Sequence, residues 1–230
     1  MKNINIVSGI SMGLGKELYN ALSKKDITFG LTSKQNNPDR NVLYIPYFEV
    51  NENIDKIFSD LLVLLKNYKP EKISIYFNSA VYDKEKDSDL DKARILNINY
   101  FNQIILYNFL KKKFKNIKFK LIFFSSFEIY NNNSNLIYYK LSKQKYVEEY
   151  ERLKNDKNLI IKLFIIGGIK TSTYNKNIAL KKRSMLRGFL ASSLKKSTIF
   201  IIKKCEKDST KKYFYPLKYY YLNKIRKILK

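Results

Sequence analysis

Histidine and tryptophan are absent from this 230-residue chain, and cysteine occurs once, at Cys205. Without histidine there is no Ser-His-Asp hydrolysis, no imidazole base and no His-ligated metal site. A lone cysteine excludes a disulfide framework and a cysteine-based zinc site, and it suits a reducing, cytoplasmic setting. Acid–base chemistry is thereby left to Tyr, Lys, Asp, Glu or Cys205. Carboxylates are scarce as well: 20 Asp and Glu stand against 45 Lys and Arg, a net charge of +25. An excess of that size can attract nucleic acid or an anionic membrane. Here the lysines are spread along the chain rather than gathered in one arm. Lys, Asn, Ile and Tyr are abundant together, as AT-rich coding would produce, so no specific nucleic-acid partner is expected. No apolar run reaches 18 residues, and no transmembrane helix is expected. The first residues already read as a strand, which leaves no room for a signal peptide.

Glycine is also rare, with seven in the chain, yet Gly9, Gly13 and Gly15 fall within seven residues. They follow a short apolar run (Ile4, Ile6, Val7) and precede a helical pattern over Glu17–Ser23 with Leu18, Ala21 and Leu22 on one face. Strand, glycine turn and helix is how a doubly wound fold lets backbone amides approach a pyrophosphate, although an ordinary tight βα turn reads the same way. Further strands are expected at Ile27–Leu31, Val42–Tyr47, Ile73–Phe77, Phe119–Phe124 and Leu159–Ile166. Helical patterns over Asp55–Tyr68, Lys92–Lys113 and Tyr138–Asn155 separate the later ones. The alternation, with strands that are continuously apolar, predicts one α/β domain over residues 1–230, a parallel sheet covered on both faces.

Candidate chemistry lies after the fifth strand. Ser125 and Ser126 end it, and Tyr139-Lys140-Leu141-Ser142-Lys143 opens the next helix. Tyr139 and Lys143, four apart, share one helix face. An ammonium beside a phenol favours the phenolate and is expected to lower its pKa from about 10, giving a usable acid or base without histidine. With 19 tyrosines and many lysines, Tyr-x-x-x-Lys also arises by chance.

Taken together, these segments resemble the short-chain dehydrogenase/reductase family across almost the whole chain. Ser8-Gly9-Ile10-Ser11-Met12-Gly13-Leu14-Gly15 is similar to its Thr-Gly-x-x-x-Gly-x-Gly cofactor turn. Asn78-Ser79-Ala80-Val81 is similar to Asn-Asn-Ala-Gly, and Glu49-Val50 to the Asp-Val that faces adenine. Tyr139-x-x-Ser142-Lys143 matches the active-site motif, with Ser126 thirteen residues before the tyrosine. Asn97 falls where the family has its catalytic asparagine, with Asn99 as the alternative, as Ser125 is for Ser126. Ile166-Gly167-Gly168-Ile169-Lys170-Thr171 resembles Pro-Gly-x-Val-x-Thr.

The resemblance implies hydride transfer between a nicotinamide and a carbonyl or secondary alcohol. Tyr139 would be the proton donor and Lys143 would hold the nicotinamide ribose. Ser126 would bond the carbonyl oxygen, Asn97 would seat a water, and Thr171 would bind the carboxamide. NADP(H) is expected over NAD(H), because Leu31-Thr32-Ser33-Lys34 offers Ser33 and Lys34 where NAD sites carry a carboxylate. A catalytically weak nucleotide-binding regulator or scaffold of the same fold is the alternative. Residues 172–195 fall in the family's substrate lid, and Lys181, Lys182, Arg183 and Arg187 there suit an anionic small-molecule substrate. A homodimer or homotetramer is expected. The tail over 217–230 interleaves aromatic and basic residues, suiting either packing on the body or a peripheral membrane contact.

Overall fold

A computed structural model describes residues 2–35, 39–45, 54–82, 89–132, 135–170, 192–217 and 221. Glu49, Val50, Thr171, residues 172–191 of the expected lid and nearly all of the 217–230 tail lie outside the described residues.

Seven strands form one parallel sheet in the order β3-β2-β1-β4-β5-β6-β9. They are β1 (Asn3–Ser8), β2 (Ile27–Thr32), β3 (Val42–Tyr44), β4 (Lys72–Phe77), β5 (Lys118–Ser126), β6 (Leu159–Ile166) and β9 (Lys211–Tyr215). A separate two-residue pair joins β7 (Ile169–Lys170) to β8 (Ser192–Ser193). Both faces of the central strands are buried, which explains their unbroken apolar runs. One core gathers Ile4, Ile6, Ile73, Ile75, Leu121 and Phe123 under α3 (Ser59–Tyr68), α5 (Asn102–Lys113) and α6 (Ile137–Leu153). The opposite core sets Val7, Tyr76, Ile122 and Phe164 against α1 (Gly13–Leu22) and α7 (Leu194–Cys205). The expected doubly wound α/β architecture is what the chain adopts.

Strand order reverses at β1, which has β2 on one side and β4 on the other. That reversal opens a crevice at the C-terminal ends of β1 and β4, where ligands of open α/β sheets bind. Two lysines interrupt the apolar pattern. Lys120 on β5 and Lys162 on β6 are both buried. The Lys120 ammonium donates to the Cys205 carbonyl at 2.8 Å and pairs with Asp208, and Lys162 donates to Ser209 Oγ at 3.3 Å.

One departure from the sequence pattern bears on the site. The single helix expected over Lys92–Lys113 is α4 (Asp89–Leu96), a π-helical turn at Asn97–Phe101, and then α5. The cause is Gln103, whose buried Nε2 donates to the carbonyls of Ile98 and Asn99 at 3.0 and 3.1 Å and of Ser79 at 3.0 Å. A side chain inserted into the carbonyl ladder widens the turn there.

Candidate active site

The glycine turn is set by close approach. The Gly9 and Ile10 amides donate to the Leu31 carbonyl at 2.9 and 3.3 Å, folding the chain across the end of β2. Gly9 has φ 69°, and a Cβ there would lie 2.7 Å from the Ser79 Cα. A Cβ on Gly15 would overlap the Gly9 carbonyl and lie 2.5 Å from Asn78 Nδ2. Gly13, at φ 61°, begins α1. Met12 at the N-cap is 55% exposed and gives no side-chain cap, and the first turn carries no carboxylate. Among the described residues no side chain caps the opening amides of α1, which Ser11, Met12 and Leu14 surround in sequence. Ser11 Oγ accepts from Thr32 Oγ1 at 3.5 Å, and the Lys34 amide donates to the same hydroxyl at 3.1 Å. Ser33 and Lys34 are exposed beside the turn, and no acid precedes them on β2.

Ser8 departs from its expected place at the cofactor. It is fully buried, its Oγ donating to Gln103 Oε1 at 2.8 Å and accepting from the Asn78 and Ser79 amides at 2.9 and 3.1 Å. With all its hydrogen-bonding capacity turned inward, it ties the ends of β1 and β4 together. Asn78 Nδ2 donates to the Gly9 carbonyl at 3.5 Å, Ser79 is buried, and Ala80 is exposed.

The two candidate asparagines, Asn97 and Asn99, differ in their contacts. Asn99 is wholly buried; its Oδ1 accepts from the Val81 amide at 2.7 Å, and its Nδ2 donates to the Val81 carbonyl at 2.9 Å and to Ser142 Oγ at 3.1 Å. Ser142 Oγ in turn donates to the Tyr139 carbonyl at 2.7 Å. Asn97 is half-buried and has no such link among the described contacts. It heads the π-helical turn, so a two-residue step on this widened turn carries it away from Val81 and Ser142.

Tyr139 and Lys143 come together on α6 as their spacing requires. Both are buried, with the Lys143 ammonium 5.5 Å from the Tyr139 ring centroid and 5.3 Å from that of Tyr146. Ser125 Oγ donates to the Lys143 carbonyl at 2.9 Å, holding α6 to the end of β5. Ser126 Oγ accepts from the Glu128 amide at 3.2 Å and lies against the Tyr139 hydroxyl. The expected lowering of the phenol does not hold here. Burial pushes Tyr139 well above 10; Tyr82 and Glu128 add to the rise and the Ser126 hydroxyl opposes it. Burial also pulls Lys143 down to about 7, so near neutrality only about half of the molecules carry the ammonium that would favour a phenolate.

Gly167 donates to the Tyr215 carbonyl at 2.7 Å, and Ile169 is half-buried on β7. Two participants escaped sequence reasoning. Gln103 links Ser8 to the π-helical turn. Tyr82 lies on Tyr139, ring centroids 4.5 Å apart and tilted by 31°. Among 19 tyrosines nothing in the pattern marks Tyr82 out.

No protein-family model matches the chain, and no curated protein matches it in sequence. Solved structures do match in shape. A short-chain dehydrogenase from Streptomyces avermitilis superposes with a TM-score of 0.73 at 14% identity, over 100% of this chain and 96% of that one. The aldohexose dehydrogenase of Thermoplasma acidophilum, in ligand-free form, gives 0.73 at 14% identity over 93% and 92%. A short-chain dehydrogenase from Burkholderia cenocepacia in complex with NADP gives 0.67 at 13% identity, over 92% of this chain and 86% of that one. The chain has the short-chain dehydrogenase/reductase fold. The resemblance read from its motifs and the likeness of its backbone thus point to one architecture.

Proposed function

We propose that the protein is a nicotinamide-dependent oxidoreductase that interconverts a carbonyl and a secondary alcohol, with Tyr139 as the proton-transferring group. One observation carries this reading. Hydrogen bonds and the backbone of Asn78–Val81 link Ser8, beside the glycine turn, through Asn99 and Ser142 to the Tyr139 backbone carbonyl, which supports reading the glycine turn and Tyr139 as parts of one site. The residues fit a dinucleotide: glycine at Gly9, Gly13 and Gly15, uncapped amides at the start of α1, and Ser33 and Lys34 beside them. Ser33 and Lys34, with no carboxylate at the end of β2, support NADP(H) over NAD(H).

When bound, the nicotinamide supplies or accepts the hydride. Tyr139 then holds and delivers the proton at its hydroxyl, and Ser126 donates to the substrate oxygen as charge builds there. Lys143, between the rings of Tyr139 and Tyr146, is placed to orient the cofactor ribose and to share the proton. Gly167 and Ile169, at the end of β6 and on β7, would flank the nicotinamide end. The substrate is a small carbonyl or alcohol, and the basic sequence over 181–187 suits an anionic group on it.

A second reading, a nucleotide-binding regulator with weak turnover, draws on the burial that raises Tyr139 and lowers Lys143 to about 7. Consumption of NADPH and of NADH over a carbonyl panel, alongside direct cofactor binding, separates the two. The oxidoreductase reading expects turnover that Tyr139→Phe abolishes while cofactor binding persists. Tight binding without turnover of any carbonyl supports the regulator, and full turnover by Tyr139→Phe overturns the role of that residue.

A further inference from the structure

Tyr82, which lies outside the helix of Tyr139, packs its ring against that of Tyr139. It follows the Asn78–Val81 segment, which Asn99 anchors through both the amide and the carbonyl of Val81. That anchoring fixes where the next residue projects. The Tyr82 ring lies 4.5 Å from the ring of Tyr139, and its hydroxyl acts on that of Tyr139. Yet Tyr82 remains 49% exposed, while Tyr139 beneath it is 8% exposed. Tyr82 therefore covers the buried phenol while about half of its own surface stays exposed.

Tyr139 has Lys143 near its ring, Ser126 near its hydroxyl and Tyr82 over it. Lys143 lies on α6 and Ser126 ends β5, and of these groups Tyr82 is the one with a large exposed surface. A carbonyl oxygen bonded by the Tyr139 hydroxyl would take over the place that the Tyr82 hydroxyl holds. Whatever flanks that carbonyl then lies on the ring.

We propose that Tyr82 is a positioning and specificity-determining residue: it holds the Tyr139 hydroxyl until a substrate carbonyl replaces it, and its ring selects carbonyls bearing a flat aryl neighbour. This rests on the oxidoreductase reading for its meaning in turnover, but not for its contacts. Aromatic pairs contribute roughly 0.5–1.5 kcal/mol beyond the area they bury, up to about tenfold in binding.

The test uses the full chain labelled with ¹³Cζ-tyrosine at neutral pH, with acetophenone and 2-butanone as probes. Tyr139→Phe and Tyr82→Phe assign the two signals by their loss. The expected results are a shift of the Tyr139 signal in Tyr82→Phe, which keeps the ring and loses the hydroxyl, and movement of the Tyr82 signal on adding acetophenone. Tyr82→Leu is expected to lose about five- to tenfold of the preference for acetophenone over 2-butanone in binding, with the effect in KM rather than kcat wherever turnover occurs. An unmoved Tyr139 signal in Tyr82→Phe, an unmoved Tyr82 signal with acetophenone, or an unchanged preference in Tyr82→Leu would each overturn the proposal. Binding of acetophenone as expected, but with no hydride transfer to any carbonyl, leaves Tyr82 in its role and overturns the oxidoreductase reading instead.

Discussion

The Asn99 carboxamide grips Val81 at both ends of its peptide units, accepting from the amide at 2.7 Å and donating to the carbonyl at 2.9 Å. No water reaches Asn99, so each lost bond leaves a buried group unmatched. Asn99→Ala strips partners from Val81 and Ser142 and is expected to destabilise the fold by about 2–4 kcal/mol. Asn97→Ala, two residues earlier, is expected to cost well under about 1 kcal/mol. Urea midpoints of the two variants check this. Equal losses would mean that the π-helical turn does not separate the two side chains as described.

Lys143 gives a pH-dependent prediction whose sign is fixed by burial. Its folded value of about 7 lies below the roughly 10.4 of an unfolded lysine. Between these values the unfolded chain binds more protons, so stability rises with pH across that window. Below about pH 7 the folded protein carries a buried ammonium and bears the full desolvation cost. Lys143→Met is therefore expected to be more stable than the natural chain at pH 6, by about 1–3 kcal/mol. Its advantage should shrink toward zero near pH 10. Melting temperatures from pH 6 to pH 10 read this directly, at about 2–4 °C per kcal/mol for a chain of this size. A difference that stays constant with pH would show that Lys143 is not desolvated.

Much of this architecture is legible in the residues, because parallel strands buried on both faces must be apolar throughout and helices must repeat near 3.6. Ile73–Phe77 and Leu159–Ile166 announce themselves for that reason. The glycine turn is legible too, since Gly9 and Gly15 answer to backbone approaches that exclude a side chain. Gln103 and Asn99 are not. Their effect depends on which carbonyls fold within reach, and a polar residue on a helix gives no sign of that beforehand. The direction of the Tyr139 shift was hidden for a related reason. Spacing places an ammonium near a phenol, but only the packed structure shows both so desolvated that burial dominates each shift.

Asp208 compensates two lysines at the N-terminal side of the sheet, accepting from Lys72 at 3.2 Å and pairing with the buried Lys120. Loss of one partner of a buried ion pair leaves an uncompensated charge, which is far worse than never having had the pair. Asp208→Asn is expected to cost about 2–4 kcal/mol, below the full buried-pair figure because Asp208 itself is 52% exposed. Adding Lys120→Met should restore much of that loss. A double-mutant cycle by chemical denaturation measures the coupling. Strictly additive losses would show that Asp208 and Lys120 do not act as a pair.

Cofactor preference turns on the exposed end of β2. Lys34 stands beside the glycine turn, its amide bonded to the Thr32 hydroxyl that also meets Ser11. An ammonium at that place attracts a 2′-phosphate, while a carboxylate would repel it and could accept from a free 2′-hydroxyl instead. Lys34→Glu is expected to weaken NADPH binding about tenfold, the effect of one exposed charge–phosphate contact near 1.4 kcal/mol, and to leave NADH binding equal or tighter. Because the contact is exposed, the NADPH effect should shrink as salt is raised. Lys25→Glu, at the opposite end of β2, serves as the control for net charge alone. Fluorescence titration with both cofactors decides the matter: if the two variants weaken NADPH equally, the effect is general electrostatics and Lys34 does not read the phosphate.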